Sequence, residues 1–368
     1  MALKNAIDTA AASNRVADWL ATKFEAARQI KVHDLQVPAS AGLSNETVLF
    51  TASWEQDGQP QSRDLVARVQ PDGPGVFPAY DLDKEAKVIT ALAAHGVPVP
   101  QIYFYEEDPA IFGAPFLVMQ HVDGRVPSDD PPFTATGWVL DLTPQQRQVM
   151  WNNSIDVLAK IHAVDWQQAG LEFLDSEANG STAAAQITNW RNTFEWAADG
   201  EPNPTIERAL EWLGANSPEE SPKVLNWGDA RVGNIIFSDT LEAAAVLDWE
   251  MVGLGSRELD LGWWLFLMRH HTEGIGLPLP EGIPDRAETI ARYTSVTGYT
   301  PAHLDFYEVL AATKLSILMV RAAHMMISLG LLPPDSPMSQ SNPASQLLAK
   351  LLVLPEPTGV TTSFIGNR

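Results

Sequence analysis

The sequence contains no cysteine, which excludes disulfides, thiolate metal sites and a cysteine nucleophile. It is also short of positive charge. Lys and Arg number 24 against 46 Asp and Glu, a formal net charge of −22. So acidic a surface repels phosphate backbones and anionic membranes, which argues against nucleic-acid and membrane partners and favours cationic small molecules. Uninterrupted apolar runs are scarce too. The most hydrophobic late stretch, 315–332, is broken by Arg321 and His324 and reads as a buried helix rather than a membrane span. The N-terminal MALKNAIDTAAASNRVADWL is interrupted by Lys4, Asp8, Arg15 and Asp18 and lacks the apolar core of a signal peptide, so a cytoplasmic location is expected.

What is present is an ordinary globular composition, 45% hydrophobic and 19% charged, over 368 residues. That length calls for about two packed lobes. Helical spacing of Val16, Trp19, Leu20 and Phe24 predicts a leading helix over 14–30. Strand-like runs at 47–54 and 64–69 flank the turn-rich QDGQP, and two more follow at 102–106 and 116–121. Between the pairs, 82–95 reads as a helix that stops at Gly96 with Pro98 beyond. After Gly124 a Pro- and Asp-rich connector leads into a long helix over 145–164 and a mostly helical remainder. The expected architecture is α+β: a sheet-rich lobe over 1–122 and a larger, mainly helical lobe over 123–368.

The chemistry concentrates in LNWGDARVGNIIFSDTLEAAAVLDWE, residues 225–250. The apolar runs 235–237 and 243–247 flank Ser238-Asp239-Thr240 and predict a hairpin centred near 241. Such a hairpin sets Asn234 opposite Asp248, with Asp229 in the loop just before it. Hard oxygen donors without His or Cys suit Mg²⁺, and a further carboxylate nearby can accept a proton from an attacking hydroxyl. His270-His271 has no ligand-spaced partner and does not suggest zinc.

This pattern, D-x-x-x-x-N, a hairpin, then D-W-E, resembles the aminoglycoside phosphotransferase and choline kinase family, relatives of the protein kinases. The resemblance implies a bilobal protein-kinase-like fold, with Asp229 as catalytic base and Asn234 and Asp248 as Mg²⁺ ligands. Glu258-Leu259-Asp260-Leu261 is similar to the family's D-L helix start, whose aspartate, here Asp260, supports the catalytic loop. LAKIHAVD at 158–165 is similar to its L-x-x-L-H-x-x-D helix end. MQHVDG at 119–124 resembles the segment between the lobes that meets adenine, which nominates Gln120 and Val122. Two departures are visible: Trp227 stands where the family usually has His, and Arg68 where it usually has the phosphate-gripping Lys. Arg retains the charge and can bind phosphate bidentately.

Helical spacing supports Arg68 independently. Leu82, Glu85, Ile89 and Leu92 share one stripe, so Glu85 faces the packed side, where it needs a partner such as Arg68. Ser44 and Asn45 lie where a phosphate-covering loop belongs. For the acceptor, the resemblance places the acidic, Trp-containing stretch 193–221, with Glu195 and Trp196, near the pocket, where it would suit an amine-bearing alcohol or else form a solvated acidic face, and Glu250 would orient substrate or serve as a structural acceptor. The sequence thus predicts an ATP- and Mg²⁺-dependent O-phosphotransferase acting on an aminoglycoside-, choline- or other metabolite-like hydroxyl. A degenerate kinase-like nucleotide-binding protein is the alternative. Protein phosphorylation is disfavoured by the lack of an A-P-E segment after Asp248, and glycoside hydrolysis leaves Asn234, Arg68 and Glu85 without a role.

Overall fold

The leading helix is shorter and earlier than its apolar spacing implies. In the computed structural model, which describes residues 9–24, 27–38, 46–71, 73, 75–176, 180–219 and 221–359, α1 spans Thr9–Lys23. The chain then becomes strand β1 (Arg28–Gln36). The expected helix over 14–30 overran because no glycine or proline between Phe24 and Arg28 marks its end in the sequence. Gln29 and Asp34 adopt positive φ values of 55° and 53°, and the pairing register slips on either side of Lys31–His33. These irregularities conceal the strand from periodicity.

Strands β2 (Glu46–Gln56) and β3 (Gln59–Val69) form a hairpin through Asp57-Gly58. Both turn residues have positive φ, the conformation that Asp-Gly favours in a two-residue hairpin. With β4 (Ile102–Glu106) and β5 (Phe116–Gln120) they complete an antiparallel five-stranded sheet ordered β1-β2-β3-β5-β4. Side-chain alternation along β3 gives the sheet two faces. Leu65, Ala67 and Val69 pack with Trp19, Leu20, Phe50 and Val118, whereas Val66 packs with Leu82, Leu117 and Met119. Leu82 opens α2 (Leu82–Ala94), whose first turn is capped by the Asp81 carboxylate accepting from the Lys84 amide.

The chain divides into two compact units, Met1–Ala93 with Val99–Val122 and Ala94–Pro98 with Asp123–Arg368. The second is built on α3 (Trp138–Asp141), α4 (Pro144–His162), α5 (Ala183–Ala198) and α6 (Pro204–Ala215). Short strands follow: β6 (Val224–Asn226), β7 (Ile235–Phe237), β8 (Ala243–Val246) and β9 (Gly253–Gly255). Helices α7 (Glu258–His270), α8 (Arg286–Thr297), α9 (Leu304–Ser328) and α10 (Pro343–Leu351) complete it. By length and composition α9 could cross a membrane, but its apolar surface is largely buried. It packs against α5, α6, α7 and α10 as the central helix of the unit.

Candidate active site

Strand β6 pairs with β9 and delivers the chain to Trp227 and Gly228. Gly228 has a φ of 92°, and a Cβ there would lie 2.1 Å from the Met251 carbonyl oxygen. Only glycine fits this left-handed, tightly approached position. The next residue, Asp229, is 9% exposed. Its Oδ1 accepts from Trp263 Nε1 at 2.8 Å, and its Oδ2 accepts from Asn234 Nδ2 at 2.7 Å and Arg231 Nε at 2.9 Å. The carboxylate is therefore held from both sides, on one by its own loop and on the other by α7, 34 residues along the chain.

The loop is held from below by Asp260, 1% exposed at the start of α7. Its Oδ2 accepts from the Trp227 amide at 2.6 Å and its Oδ1 from the Gly228 amide at 2.8 Å. His162 Nε2 lies 3.0 Å from the same Oδ2, and His162 Nδ1 lies 2.7 Å from the Tyr293 hydroxyl. Burial holds the Tyr293 phenol above its usual range. Trp227, in place of the usual histidine, is fully buried and donates its indole N–H to the Leu247 carbonyl at 2.8 Å. That bond ties the Asp229 loop to the end of β8.

The hairpin of β7 and β8 differs from expectation by one residue. Ile236 pairs with Ala245 but Phe237 with Ala243, a bulge that shifts the register. The turn itself is centred at 240 rather than 241, and the bulge makes up only one of the two positions this costs, so Asn234 faces Leu247 rather than Asp248, with the Leu247 amide donating to the Asn234 carbonyl at 2.8 Å. Asp248 follows with a φ of 63°, so the chain turns sharply just past the pair. Leu247 is anchored through both its N–H and its C=O, which defines where Asp248 begins.

Asn234 donates Nδ2 to both the Asp229 carbonyl, at 3.1 Å, and its carboxylate. This leaves the amide Oδ1 as the outward acceptor. Among the described residues no three His, Cys, Asp or Glu side chains converge as a metal cage. The donors offered are the Asn234 amide oxygen and the Asp248 carboxylate. That all-oxygen set with few protein ligands fits Mg²⁺, which keeps water and substrate phosphate ligands, better than zinc.

Sequence reading missed Arg231, Asp129, His271, Trp263 and Lys314. Arg231 bridges Asp229 and Asp129. Burial opposes its charge, but the carboxylates of Asp229, Asp129 and Asp248 outweigh burial and hold its pKa above the ordinary value. Burial likewise acts to raise the Asp129 carboxyl, and Arg231 and His271 overcome it, so Asp129 titrates low. His271 Nε2 lies 3.7 Å from Asp129 Oδ1. Burial and the neighbouring His271 push His270 down to about 3, which keeps it neutral. The D-x-R spacing around Asp229 was the signal for Arg231, whereas Asp129 lies in the irregular connector and gave none.

In the first unit, Arg68 shares the Val66 face of β3 that packs on Leu82, and its Nη1 lies 3.7 Å from Glu85 Oε2 on α2. Glu85 is 1% exposed. Gln120 is exposed at the end of β5, its amide bonded to the Gln101 carbonyl, and Val122 is half-buried beyond it. Ser44 and Asn45 lie outside the described residues. In the second unit, Glu250 is half-buried in the turn between β8 and β9. Glu195 is exposed on α5, and Trp196 lies beneath the Arg321 guanidinium, 4.5 Å from its ring centroid. No hydrogen bond, ion pair or ring contact among the described residues joins Glu195 or Trp196 to Asp229.

The chain is 32% identical over 202 residues to mouse (Mus musculus) acyl-CoA dehydrogenase family member 10, covering 55% of this chain and 18% of that protein. It is 30% identical over 266 residues to human (Homo sapiens) acyl-CoA dehydrogenase family member 11, covering 70% and 32%. The chain thus spans a third or less of the length of these curated relatives. Its fold is shared with a provisionally assigned aminoglycoside phosphotransferase from Ralstonia eutropha, with a TM-score of 0.67, 23% identity and 92% and 95% of the two chains covered. It is shared also with a thermostable mutant of an aminoglycoside phosphotransferase in ternary complex with AMP-PNP and hygromycin B, with a TM-score of 0.54, 15% identity and 92% and 98% covered. The α+β architecture, an antiparallel sheet with one main helix followed by a mainly helical unit, is therefore the kinase-like fold of these phosphotransferases. The model of the phosphotransferase enzyme family (APH) matches residues 36–300, well over half of the sequence, and the chain belongs to that family.

Proposed function

We propose that this chain transfers the γ-phosphoryl group of ATP to the hydroxyl of a small molecule, with Mg²⁺ as cofactor. The observation that carries the reading is the buried Asp229 carboxylate, bonded to Asn234 at 2.7 Å in a loop whose two preceding amides are clamped by Asp260. A carboxylate so positioned can orient an acceptor hydroxyl and take its proton. The acceptor oxygen bonds to the γ-phosphorus as the bond from that phosphorus to the bridging oxygen breaks. ADP leaves, and the hydroxyl proton passes to Asp229. Mg²⁺, held by the Asn234 amide oxygen and Asp248, would supply neutralisation of the phosphate charge. Arg231, kept protonated by three carboxylates, adds a fixed positive charge beside Asp229.

Within the first unit, Arg68, paired with Glu85 at 3.7 Å, is the candidate phosphate contact, Gln120 and Val122 are the candidate adenine contacts, and Ser44 and Asn45 the candidate phosphate-covering loop. Use of a nucleotide is supported by the AMP-PNP complex of the structural relative. Its hygromycin B supports a small-molecule acceptor, while the names of the curated relatives make a hydroxylated acyl thioester a further candidate.

The test is Mg²⁺-dependent ATP consumption across aminoglycosides, macrolides, choline-like amines, sugars and hydroxyacyl thioesters. Wild type should turn over with at least one class, and Asp229→Asn should lower kcat by about 10²–10⁴-fold with the thermal shift on adding ATP retained. Undiminished turnover in that variant would remove Asp229 from its role. A thermal shift without turnover on any acceptor would favour the nucleotide-binding alternative.

A further inference from the structure

Lysine is almost never buried without a partner, because its ammonium carries three donors and a full charge. Lys314, midway along α9, is 7% exposed. Its Nζ lies 4.8 Å from the ring centroid of Trp263 on α7 and 5.2 Å from that of Trp190 on α5. Among the described residues it makes no hydrogen bond or ion pair; these two ring faces are its contacts. Aromatic faces attract the charge but satisfy none of its N–H groups.

Nor are the nearby carboxylates open to it. Asp229 and Asp260 both act electrostatically on Lys314, yet their oxygens are already taken by Trp263, Asn234 and Arg231 and by Trp227, Gly228 and His162. Burial pushes the ammonium down to about 8 despite those two negative charges. The indole of Trp263 links the features directly, with Lys314 over its ring and its N–H bonded to Asp229 Oδ1 at 2.8 Å. A desolvated cation with free donors therefore stands one side chain away from the candidate base.

We propose that Lys314 is the acceptor-recognition residue of this site, and that the acceptor carries an anionic group, carboxylate or phosphate, which pairs with the Lys314 ammonium while its hydroxyl meets Asp229. The proposal rests on the phosphotransferase reading and makes it more specific. It also reverses the preference for a cationic acceptor drawn from the acidic composition, because the charge over the ring face of Trp263 is positive and has no ion-pair partner among the described residues. Trp190 and Trp263 fit the apolar body between the anionic group and the hydroxyl.

The experiment uses three length-matched sets of probes of three to eight carbons: ω-hydroxycarboxylates, ω-hydroxyalkyl phosphates and ω-amino alcohols. Each is assayed for Mg²⁺-ATP-dependent phosphorylation with wild type, Lys314→Met and Lys314→Arg, and for binding by calorimetry without nucleotide. Wild type should favour one of the anionic sets, and whichever set responds separates carboxylate from phosphate. Lys314→Met should raise KM for that set about 10–100-fold, the scale of one charge-assisted hydrogen bond, with kcat within about threefold. Lys314→Arg should recover part of the loss, and it serves as the test if the Met variant does not fold.

Turnover of amino alcohols alone would overturn the proposal and leave the phosphotransferase reading standing, as would an unchanged KM for the anionic set in Lys314→Met. If no probe is phosphorylated, calorimetry still decides. Anion binding by wild type that Lys314→Met loses upholds the role of Lys314 without the transfer reaction, and no anion binding by wild type overturns it.

Discussion

Replacing Asp260 by asparagine isolates the clamp beneath the Asp229 loop, because the side chain keeps its shape and loses its charge and one acceptor. In wild type, Oδ2 serves the Trp227 amide and His162, and Oδ1 serves the Gly228 amide. The least costly placement of the new amide group puts its NH₂ at the Oδ1 position, where it opposes the Gly228 N–H and orphans that donor. An orphaned buried donor costs about 1–3 kcal/mol, and the two remaining bonds lose their charge assistance. Asp260→Asn should therefore destabilise the second unit by about 2–4 kcal/mol, and Asp260→Ala, which orphans all three partners, by roughly twice that. Ten of the 12 tryptophans lie in the second unit, all but Trp19 and Trp54, so urea unfolding followed by tryptophan fluorescence reports it directly. Displacement of Asp229 should lower turnover by up to about 10²-fold. Both variants unfolding within about 0.5 kcal/mol of wild type would refute the clamp as the support of this loop.

Gly228→Ala should be worse than its size suggests, because the new Cβ meets the Met251 backbone at 2.1 Å in a left-handed conformation. A loss of about 2–5 kcal/mol by urea unfolding and loss of turnover are expected, and wild-type stability would show that the loop can relax. In the first unit, Glu106 accepts from Trp19 Nε1 at 2.7 Å and pairs with Lys23 at 2.9 Å, and these hold its carboxyl at about 2. A depressed carboxyl contributes stability above its unfolded value of 4.5, lost as pH falls toward 2. Glu106→Gln should therefore cost about 2–3 kcal/mol at pH 7, a gap that narrows below pH 4.5; a gap independent of pH would refute the assignment. Lys314 has the opposite sign. Its ammonium is depressed from 10.5 to about 8, so the unfolded chain binds more protons between those values and stability rises with pH across that window. At pH 7 its full cost of about 3 kcal/mol is partly offset by cation–π attraction of about 1–2 kcal/mol. Lys314→Met should accordingly stabilise the protein in urea by about 1–2 kcal/mol at pH 7, less by pH 10, and destabilisation at both would refute the burial argument.

Much of the first unit is legible from local pattern. The Asp57-Gly58 turn, the alternation along β3 and the helix opened by Asp81 and ended by Gly96 are short-range signals. The Arg68–Glu85 pair follows from combining them, since a period of two places Arg68 on the face of Val66 and a helical turn places Glu85 one step beyond Leu82. Strand β1 escaped because its two left-handed residues break the alternation that would have revealed it. The one-residue error at Asn234 comes from the turn, which closes at Phe237 and Ala243, one position earlier than the apolar runs imply, and from a bulge in β8 that recovers only part of the offset and leaves no periodic trace.

By itself the sequence determined the inventory and its order: two acids and an amide at 229, 248 and 234, a donor set of oxygens, and no thiol. Those features need only residue identity and spacing, which propensity and valence translate into loops, strand ends and hard-ion ligands. Tertiary structure decided which charges meet. Arg231 reaches Asp129 from 102 positions away, Trp263 reaches Asp229 from 34, and Lys314 on the central helix comes to lie over Trp263. A charge declares its partner only when folding removes water from both, and burial is a property of the packed whole that no local spacing encodes.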